Sequence, residues 1–374
     1  MDFWDLVICG AGPVGCTIAE RASREMKWRV LLVDKRNHIG GNCHDSYHDS
    51  GVLIHNYGPH YFRTNNKTIF DYLSKFTEWI PGNYFVKSYT RGELFDFPIN
   101  IKTLEQFYNC DLTVKDAENF VEKLRVCISN PANSEEFVIN KVGRELYEAF
   151  YLGYTLKQWE IHPKDLDASV CGRIPVRFNK DCRYSDYKYQ VSPKHGFTKM
   201  FQNMINNPLI SVMLNTDYKE IKSSISPRIA TVYTGAVDEY FDYKLGKLPW
   251  RSLDFDYQEF QQPYKQPCVQ INYPNDFDYT RTVEIKHVTG QKSHNTIVAY
   301  EYSKSCGDPY YPVPEQKNLS LYQRYEDLIA SEQSEKNIFF VGRLATYRYY
   351  NTDQVIEEAL KTFDKISKLQ ETQN

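Results

Sequence analysis

The 374-residue chain contains no run of eighteen apolar residues, which excludes a helix long enough to span a bilayer. It has no basic excess. Against 45 Lys and Arg stand 48 Asp and Glu, a formal charge of −3, so the electrostatic footprint of a nucleic-acid binder is missing. No low-complexity linker and no internal repeat interrupts it. Its domains are therefore expected to be discontinuous in the chain and tightly joined. No Cys-x-x-Cys occurs among the nine cysteines, and nine is an odd number. They are read as reduced thiols of a cytoplasmic protein and not as a disulfide framework. No leader is expected ahead of the first apolar run, Leu6-Val7-Ile8-Cys9, in keeping with that setting. What the chain has in excess is aromatic side chains, 30 Tyr, 21 Phe and 5 Trp. Tyrosine pairs an apolar ring with a wet hydroxyl and suits sites that stack and hydrogen-bond flat polar ligands. A tyrosine-rich core and surface would give the same count.

The N-terminal segment carries the most specific spacing. A buried strand over residues 3–9 leads into Gly10-Ala11-Gly12-Pro13-Val14-Gly15, and Val14, Ile18, Ala19 and Ala22 follow at helical period. A second β-branched run, Arg29 to Val33, ends in Asp34. Strand, glycine turn, helix, strand and acid in this order predict a dinucleotide site. Gly10 permits the tight turn. Gly12 lets the backbone approach a pyrophosphate at the positive end of the helix, with Pro13 and Val14 opening that helix. Gly15 lets the helix lie close on the sheet, and Asp34 would accept from ribose hydroxyls. No second Gly-x-Gly-x-x-Gly exists, which sets aside a two-Rossmann pyridine-nucleotide reductase.

Beyond the acid, Lys35-Arg36 and Gly40-Gly41-Asn42 resemble the extended fingerprint of FAD proteins of the glutathione-reductase superfamily. A late strand, Ile338 to Val341, is followed by Gly342-Arg343, and Asp353-Gln354-Val355 opens a helix with Val355, Ala359, Phe363 and Ile366 on one face. Folds of this type close over the flavin with such a segment. Five histidines, His38, His44, His48, His55 and His60, crowd between residues 38 and 60 beside Cys43, Asp45 and Asp49. Their spacing matches no zinc pattern, so no metal is expected. His38, His44, His48 and His55 are expected on the surface or in loops, and His60 in the site.

The segment His55-Asn56-Tyr57-Gly58-Pro59-His60-Tyr61-Phe62-Arg63-Thr64-Asn65, with the glycine turn and Ile39-Gly40-Gly41-Asn42, resembles the UDP-galactopyranose mutases of bacterial type. The likeness runs along nearly the whole chain, through Phe97-Pro98-Ile99-Asn100, Tyr154 to Trp159, Arg173 to Asn179, Leu248 to Leu253, Tyr279-Thr280-Arg281, Pro309 to Pro312 and Val341 to Tyr349. It implies an FAD enzyme that interconverts the pyranose and furanose forms of a UDP-linked galactose. The flavin must be reduced although the reaction is redox-neutral, and its N5 forms a covalent adduct with the sugar as UDP leaves. A UDP-sugar substrate, an external reductant such as NAD(P)H and a homodimer come with the resemblance.

It also implies site residues. Arg173 and Arg281 match the arginines on the diphosphate, a task that suits fixed guanidinium forks. Tyr184, Tyr311 and Tyr349 match tyrosines that donate to the same phosphates. Phe150, Tyr154, Thr155 and Asn272 match the uracil pocket, Trp159 the rim of the sugar pocket, and His60 a histidine beside the flavin. Arg173 would ride on a loop that closes over substrate. Read without the resemblance, Arg173 is a surface arginine, Tyr349 a core residue and Trp159 a core anchor. The chain departs from the family at Arg63, where histidine is usual, and at Asn351, where aspartate is usual. An altered sugar, 2-acetamido or 6-deoxy galactose, is the alternative these two raise, and a flavin oxidase of the amine-oxidase kind is another.

The expected architecture is α/β: an FAD-binding Rossmann-like domain from residues 1–75, 190–240 and 319–374, an inserted helical domain over 101–168, and an antiparallel-sheet substrate domain from 76–100, 169–189 and 241–318. Alternation predicts strands at Thr282 to Lys286 and Thr296 to Tyr300, and the site is expected where the domains meet.

Overall fold

The computed structural model describes residues 3–172 and 174–371. Leu6–Cys9 and Val30–Val33 are buried throughout, the composition of central strands covered on both faces. They lie at the middle of a five-stranded sheet in the order Ile210–Met213, Val30–Val33, Leu6–Cys9, Ala230–Tyr233, Ile338–Phe340, and every pair is parallel. The helix Pro13–Glu25 opens with proline, whose fixed φ suits a first helical position. Its apolar stripe, Val14, Ile18 and Ala22, joins one cluster with Ile356, Ala359, Phe363 and Ile366 of the last helix, Thr352–Glu371. The first and last helices of the chain thus cover the same sheet.

A second sheet has seven strands in the order Tyr311–Pro312, Trp250–Phe260, Thr296–Lys304, Arg281–Val283, Gln270–Asn272, Val86–Thr90, Glu93–Phe97. Neighbours are antiparallel except Gln270–Asn272 beside Val86–Thr90, which run parallel. Helices from Ile101–Tyr108 to Arg144–Tyr147 pack on one end of it, with Leu104, Val121, Ile139 and Leu146 in a cluster with Val86, Phe95 and Phe97. A π-helical turn, Glu148–Leu152, runs into the helix Gly153–Trp159. Trp79–Pro81 joins neither large sheet. It pairs with Tyr189–Pro193, which pairs in turn with Phe62–Thr64. Alternation shows which face of a strand is buried but not which partner it takes.

The run at Thr282 differs from the reading above. The strand ends at Val283, and Lys286–Thr289 is a short helix. The cause is the buried Glu284 carboxylate, which accepts from the Lys265 and Gln266 N–H groups and the Thr296 hydroxyl. Lys286, also buried, donates to the carbonyls of Pro263, Ser293 and Asn295. Buried charges need such partners, and meeting them turns the chain out of the ladder. Among the described residues no helix is long and apolar enough to cross a membrane.

Candidate active site

The glycine turn after the first strand is built by close approach. Gly10 has φ +112°, and a Cβ there would meet Thr234 Oγ1 at 2.0 Å. A Cβ on Gly15 would stand 1.9 Å from the Gly10 carbonyl oxygen, so Gly15 serves helix–turn packing and lines none of the cavities described. A Cβ on Gly41 would meet Gly12 Cα at 3.0 Å. The first N–H groups of the helix Pro13–Glu25 have no side-chain cap, which leaves them for an anion. Asp34 accepts from the Ala11 N–H at 2.7 Å and the Arg36 N–H at 2.9 Å. These bonds tie the acid to the turn.

Gly10, Gly12, Pro13, Val14, Asp34 and Lys35 line a cleft of about 250 Å³, together with Gly41, Asn42, His60, Gly342, Arg343 and Val355. A glycine-walled cleft at an uncapped helix end fits a dinucleotide cofactor. Asp353 lines no cavity described, and its carboxylate accepts from the Gln354 N–H. Gln354 faces the other side and lines a larger cleft of about 650 Å³.

That larger cleft gathers Arg63, Phe150, Tyr154, Thr155, Trp159 and Tyr184 with Asn272, Arg281, Tyr311, Tyr349 and Asn351. They come from the π-turn and the helix after it, from three strands of the large sheet, from the strand Phe62–Thr64 of the small sheet, from the segment before Tyr189–Pro193, and from the segment before the last helix. Phe150 is 3% exposed and packs against Phe95, Phe97 and Phe107, so it is a core residue that offers one edge to the cleft. Tyr349, expected in the core on composition alone, is 40% exposed. Arg173 lies outside the described residues.

A third cavity, of about 110 Å³, lies between the two. It shares Asn42, His60 and Arg343 with the smaller cleft and Arg63, Arg281, Tyr311 and Tyr349 with the larger, while Asn351 lines all three. His60 Nδ1 bonds the Gly58 carbonyl at 2.9 Å, which makes Nδ1 the protonated nitrogen and leaves Nε2 as an acceptor. Burial pushes the His60 imidazole down to about 3, so it stays neutral at physiological pH. Arg343 donates to the Tyr310 and Tyr350 carbonyls and stacks over Tyr349 at 4.8 Å.

Arg281 Nε donates to Glu301 Oε2 at 2.7 Å. Glu301 is fully buried, and burial raises its carboxyl against the pull of the guanidinium. Arg63 donates to the Tyr61 hydroxyl and to Asn351 Oδ1, each at 2.9 Å, and lies near the rings of Tyr61, Tyr184 and Tyr187. The two departures from the family pattern therefore touch each other. Burial pushes the Tyr154 phenol up to about 12, keeping it a donor.

Sequence reasoning missed several cleft residues. Tyr84 donates to Gln270 Oε1 at 2.6 Å, and Gln270 Nε2 donates to Asn272 Oδ1 at 2.7 Å, which orients the Asn272 amide. Tyr61 stacks on Tyr84 at 4.5 Å. Glu301, which lines neither cleft but accepts from Arg281, had a signal, a lone acid ending the run Ile297-Val298-Ala299-Tyr300-Glu301. His55 is a correction: it is 6% exposed at the end of the strand Leu53–His55 and its Nδ1 accepts the His60 N–H. The strand is buried on both faces, Leu53 and Ile54 with it, so His55 is enclosed whichever way it points. His38 and His44, partly buried, stack at 3.8 Å. Among the described residues no group of His, Cys, Asp and Glu is placed to hold a metal.

A parallel sheet with a glycine turn, a second cleft beside the first and a cavity joining their walls define a dinucleotide-binding α/β enzyme of the flavoprotein type. Residues 149–349 match the UDP-galactopyranose mutase family, and residues 8–76 match the NAD(P)-binding Rossmann-like domain. A Klebsiella pneumoniae protein named "Probable UDP-galactopyranose mutase" is 39% identical over 368 residues, covering 96% of this chain and 94% of its own. The dTDP-fucopyranose mutase of Escherichia coli is 36% identical, covering 95% and 96%. The chain belongs to the UDP-galactopyranose mutase family and is an isomerase. A crystal structure of reduced UDP-galactopyranose mutase superposes with TM-score 0.73 at 15% identity, over 98% of this chain and 96% of that one. A redesigned putrescine oxidase shares the fold at TM-score 0.56 and 12% identity, over 97% and 98%.

Proposed function

We propose that this enzyme interconverts UDP-galactopyranose and UDP-galactofuranose with reduced FAD in the smaller cleft. The observation that carries the reading is the middle cavity, whose walls include His60 and Arg343 from the cofactor side and Arg281, Tyr311 and Tyr349 from the other. Reduced flavin, when bound, supplies a nucleophilic nitrogen for the anomeric carbon. The chain's own residues do the rest. Gly10, Gly12 and the uncapped helix end hold the cofactor pyrophosphate, and Asp34 reaches its ribose. Arg281 and Arg173 bind the diphosphate and stabilise its departure. Tyr184, Tyr311 and Tyr349 donate to the same oxygens. Tyr154, Thr155 and the oriented Asn272 amide take uracil, with Trp159 at the sugar rim. His60, neutral and accepting at Nε2, orients a hydroxyl near the flavin. An external reductant such as NAD(P)H prepares the cofactor, and a cytoplasmic homodimer is the expected assembly.

The test is direct. The yellow protein, reduced with dithionite and given UDP-galactofuranose, should form UDP-galactopyranose on chromatography, with no conversion when oxidised. Flavin bleaching by an amine in air, without mutase turnover, would replace this reading with an oxidase.

One observation favours a second reading of the sugar. Arg63, Asn351 and Tyr61 form a hydrogen-bonded set on the wall of both the substrate cleft and the middle cavity. Five guanidinium donors present a different surface from histidine, one that suits a 2-acetamido or 6-deoxy galactose nucleotide. The likeness to a dTDP-fucopyranose mutase agrees with that. Turnover of a sugar-nucleotide panel decides, and a preference for UDP-galactose by about tenfold or more eliminates the altered sugar.

A further inference from the structure

The helix Gly153–Trp159 sends Tyr154, Thr155, Gln158 and Trp159 to the cleft. Lys157 is partly buried elsewhere on that helix and lines no cavity described. Its ammonium donates to three backbone carbonyls, those of Tyr273, Phe277 (2.6 Å) and Tyr279 (3.2 Å). An ammonium has three N–H donors, and all three go to one short segment. That segment, 273–280, joins the strand ending in Asn272 to the strand beginning with Arg281, and those two residues are register partners.

The same two pieces touch at other points. A Cβ on Gly153 would meet the Pro274 carbonyl oxygen at 2.3 Å. Asn275 Nδ2 donates to the Ala149 carbonyl at 3.3 Å. Tyr273, Phe277 and Tyr279 pack on each other, with centroids 4.8 to 5.1 Å apart. Burial pushes the Lys157 ammonium down to about 8, against the pull of Asp278 and Asp276.

We infer that Lys157 is a positioning residue: it locks the helix bearing Tyr154, Thr155 and Trp159 to the turn between Asn272 and Arg281, and so sets the width of the nucleotide end of the cleft. Tyr154, Thr155 and Trp159 lie on one side of this tie and Asn272 and Arg281 on the other, more than a hundred residues apart in the chain. The inference rests on the nucleotide-sugar reading of that cleft. Lys286 supplies the contrast. It too donates to three carbonyls, but its partners Pro263, Ser293 and Asn295 flank no residue of the substrate cleft, whereas Tyr273 adjoins Asn272 and Tyr279 stands two residues from Arg281.

The experiment measures UDP affinity of the flavin-loaded protein by calorimetry for wild type, Lys157→Met, Lys157→Arg and Lys286→Met, with a melting curve for each. Lys157→Met should bind UDP about tenfold more weakly, since small misplacements of a recognition group carry such penalties. KM for the sugar nucleotide should rise with it while kcat falls less. Lys157→Arg, which keeps charge and donors, should fall between. Lys286→Met should melt earlier with UDP affinity unchanged. If the methionine variant at 157 does not fold, the arginine variant carries the comparison, and its UDP affinity should still be below wild type. Wild-type UDP affinity in Lys157→Met, or in Lys157→Arg where only that variant folds, overturns the inference alone. A wild-type protein that binds no UDP overturns the nucleotide reading and this inference with it.

Discussion

Glu301 offers the sharpest test of how the cleft handles charge. It stands on the strand Thr296–Lys304 with no exposed surface, and among the described residues its carboxylate accepts from Arg281 Nε at 2.7 Å. Its other oxygen, Oε1, is buried without a hydrogen bond. Removing one partner of a buried pair costs about 3–5 kcal/mol, because the charge left behind is uncompensated. Two features reduce that here. The Arg281 side chain is 15% exposed toward the cleft, and truncation also removes the orphaned oxygen, which returns about 1–2 kcal/mol. Glu301→Ala should therefore destabilise the protein by about 2–3 kcal/mol. Glu301→Gln keeps an acceptor for Arg281 and loses only charge assistance, about 1 kcal/mol. Ligand affinity should move the other way. With the carboxylate gone, the guanidinium charge is shared with nothing but the diphosphate, and Glu301→Gln should bind UDP more tightly by about 1 kcal/mol, roughly fivefold. Urea melts with and without UDP read both quantities. Unchanged stability in Glu301→Ala would refute the buried-pair account. Weaker UDP binding by a well-folded Glu301→Gln would refute the claim that the carboxylate competes for the arginine's charge.

Three further outcomes follow from particular residues. Burial pushes His55 down to about 3, so the folded site refuses a proton that the unfolded chain takes below about 6.5. Stability from this group is complete above pH 6.5 and is lost as pH falls, by about 2 kcal/mol at pH 5; a His55→Asn variant should lose that share of the slope in denaturant melts at pH 7 and pH 5. Gly15→Ala places a methyl 1.9 Å from the Gly10 carbonyl oxygen, and the forced separation of helix and turn should cost about 3 kcal/mol and lower the flavin content read from the ratio of visible to ultraviolet absorbance. Asn351→Asp converts the 2.9 Å bond from Arg63 into an ion pair. It should raise stability by up to about 1 kcal/mol and weaken binding of the anionic nucleotide sugar, seen as a higher KM with little change in melting; a lower KM would show that Arg63 does not face the substrate's charge.

How much of this was legible in the sequence varied with the kind of signal. The glycine turn, its flanking strands and Asp34 follow from local geometry, since only glycine fits the approaches at Gly10 and Gly15. The last helix was legible from its 3.6-residue stripe. Arg63 and Asn351 stood out in the sequence as departures, yet 288 positions separate them and nothing local said that they bond each other. The role of Glu284 in ending a strand was hidden for the same reason: its partners at Lys265, Gln266 and Thr296 come from other turns of the chain.

By itself the sequence determined a dinucleotide site, which depends on spacing within about thirty residues, where backbone geometry leaves few alternatives. The arginines and tyrosines for a phosphate-bearing ligand came from the resemblance to a family. Only the tertiary structure decided that His55 lies buried behind His60, that Glu301 shares Arg281, and that Lys157 ties two distant walls together. Each of those is a burial or a hydrogen bond between segments far apart in the chain. Such contacts are set by how the sheets and helices close on one another, and no local pattern encodes them.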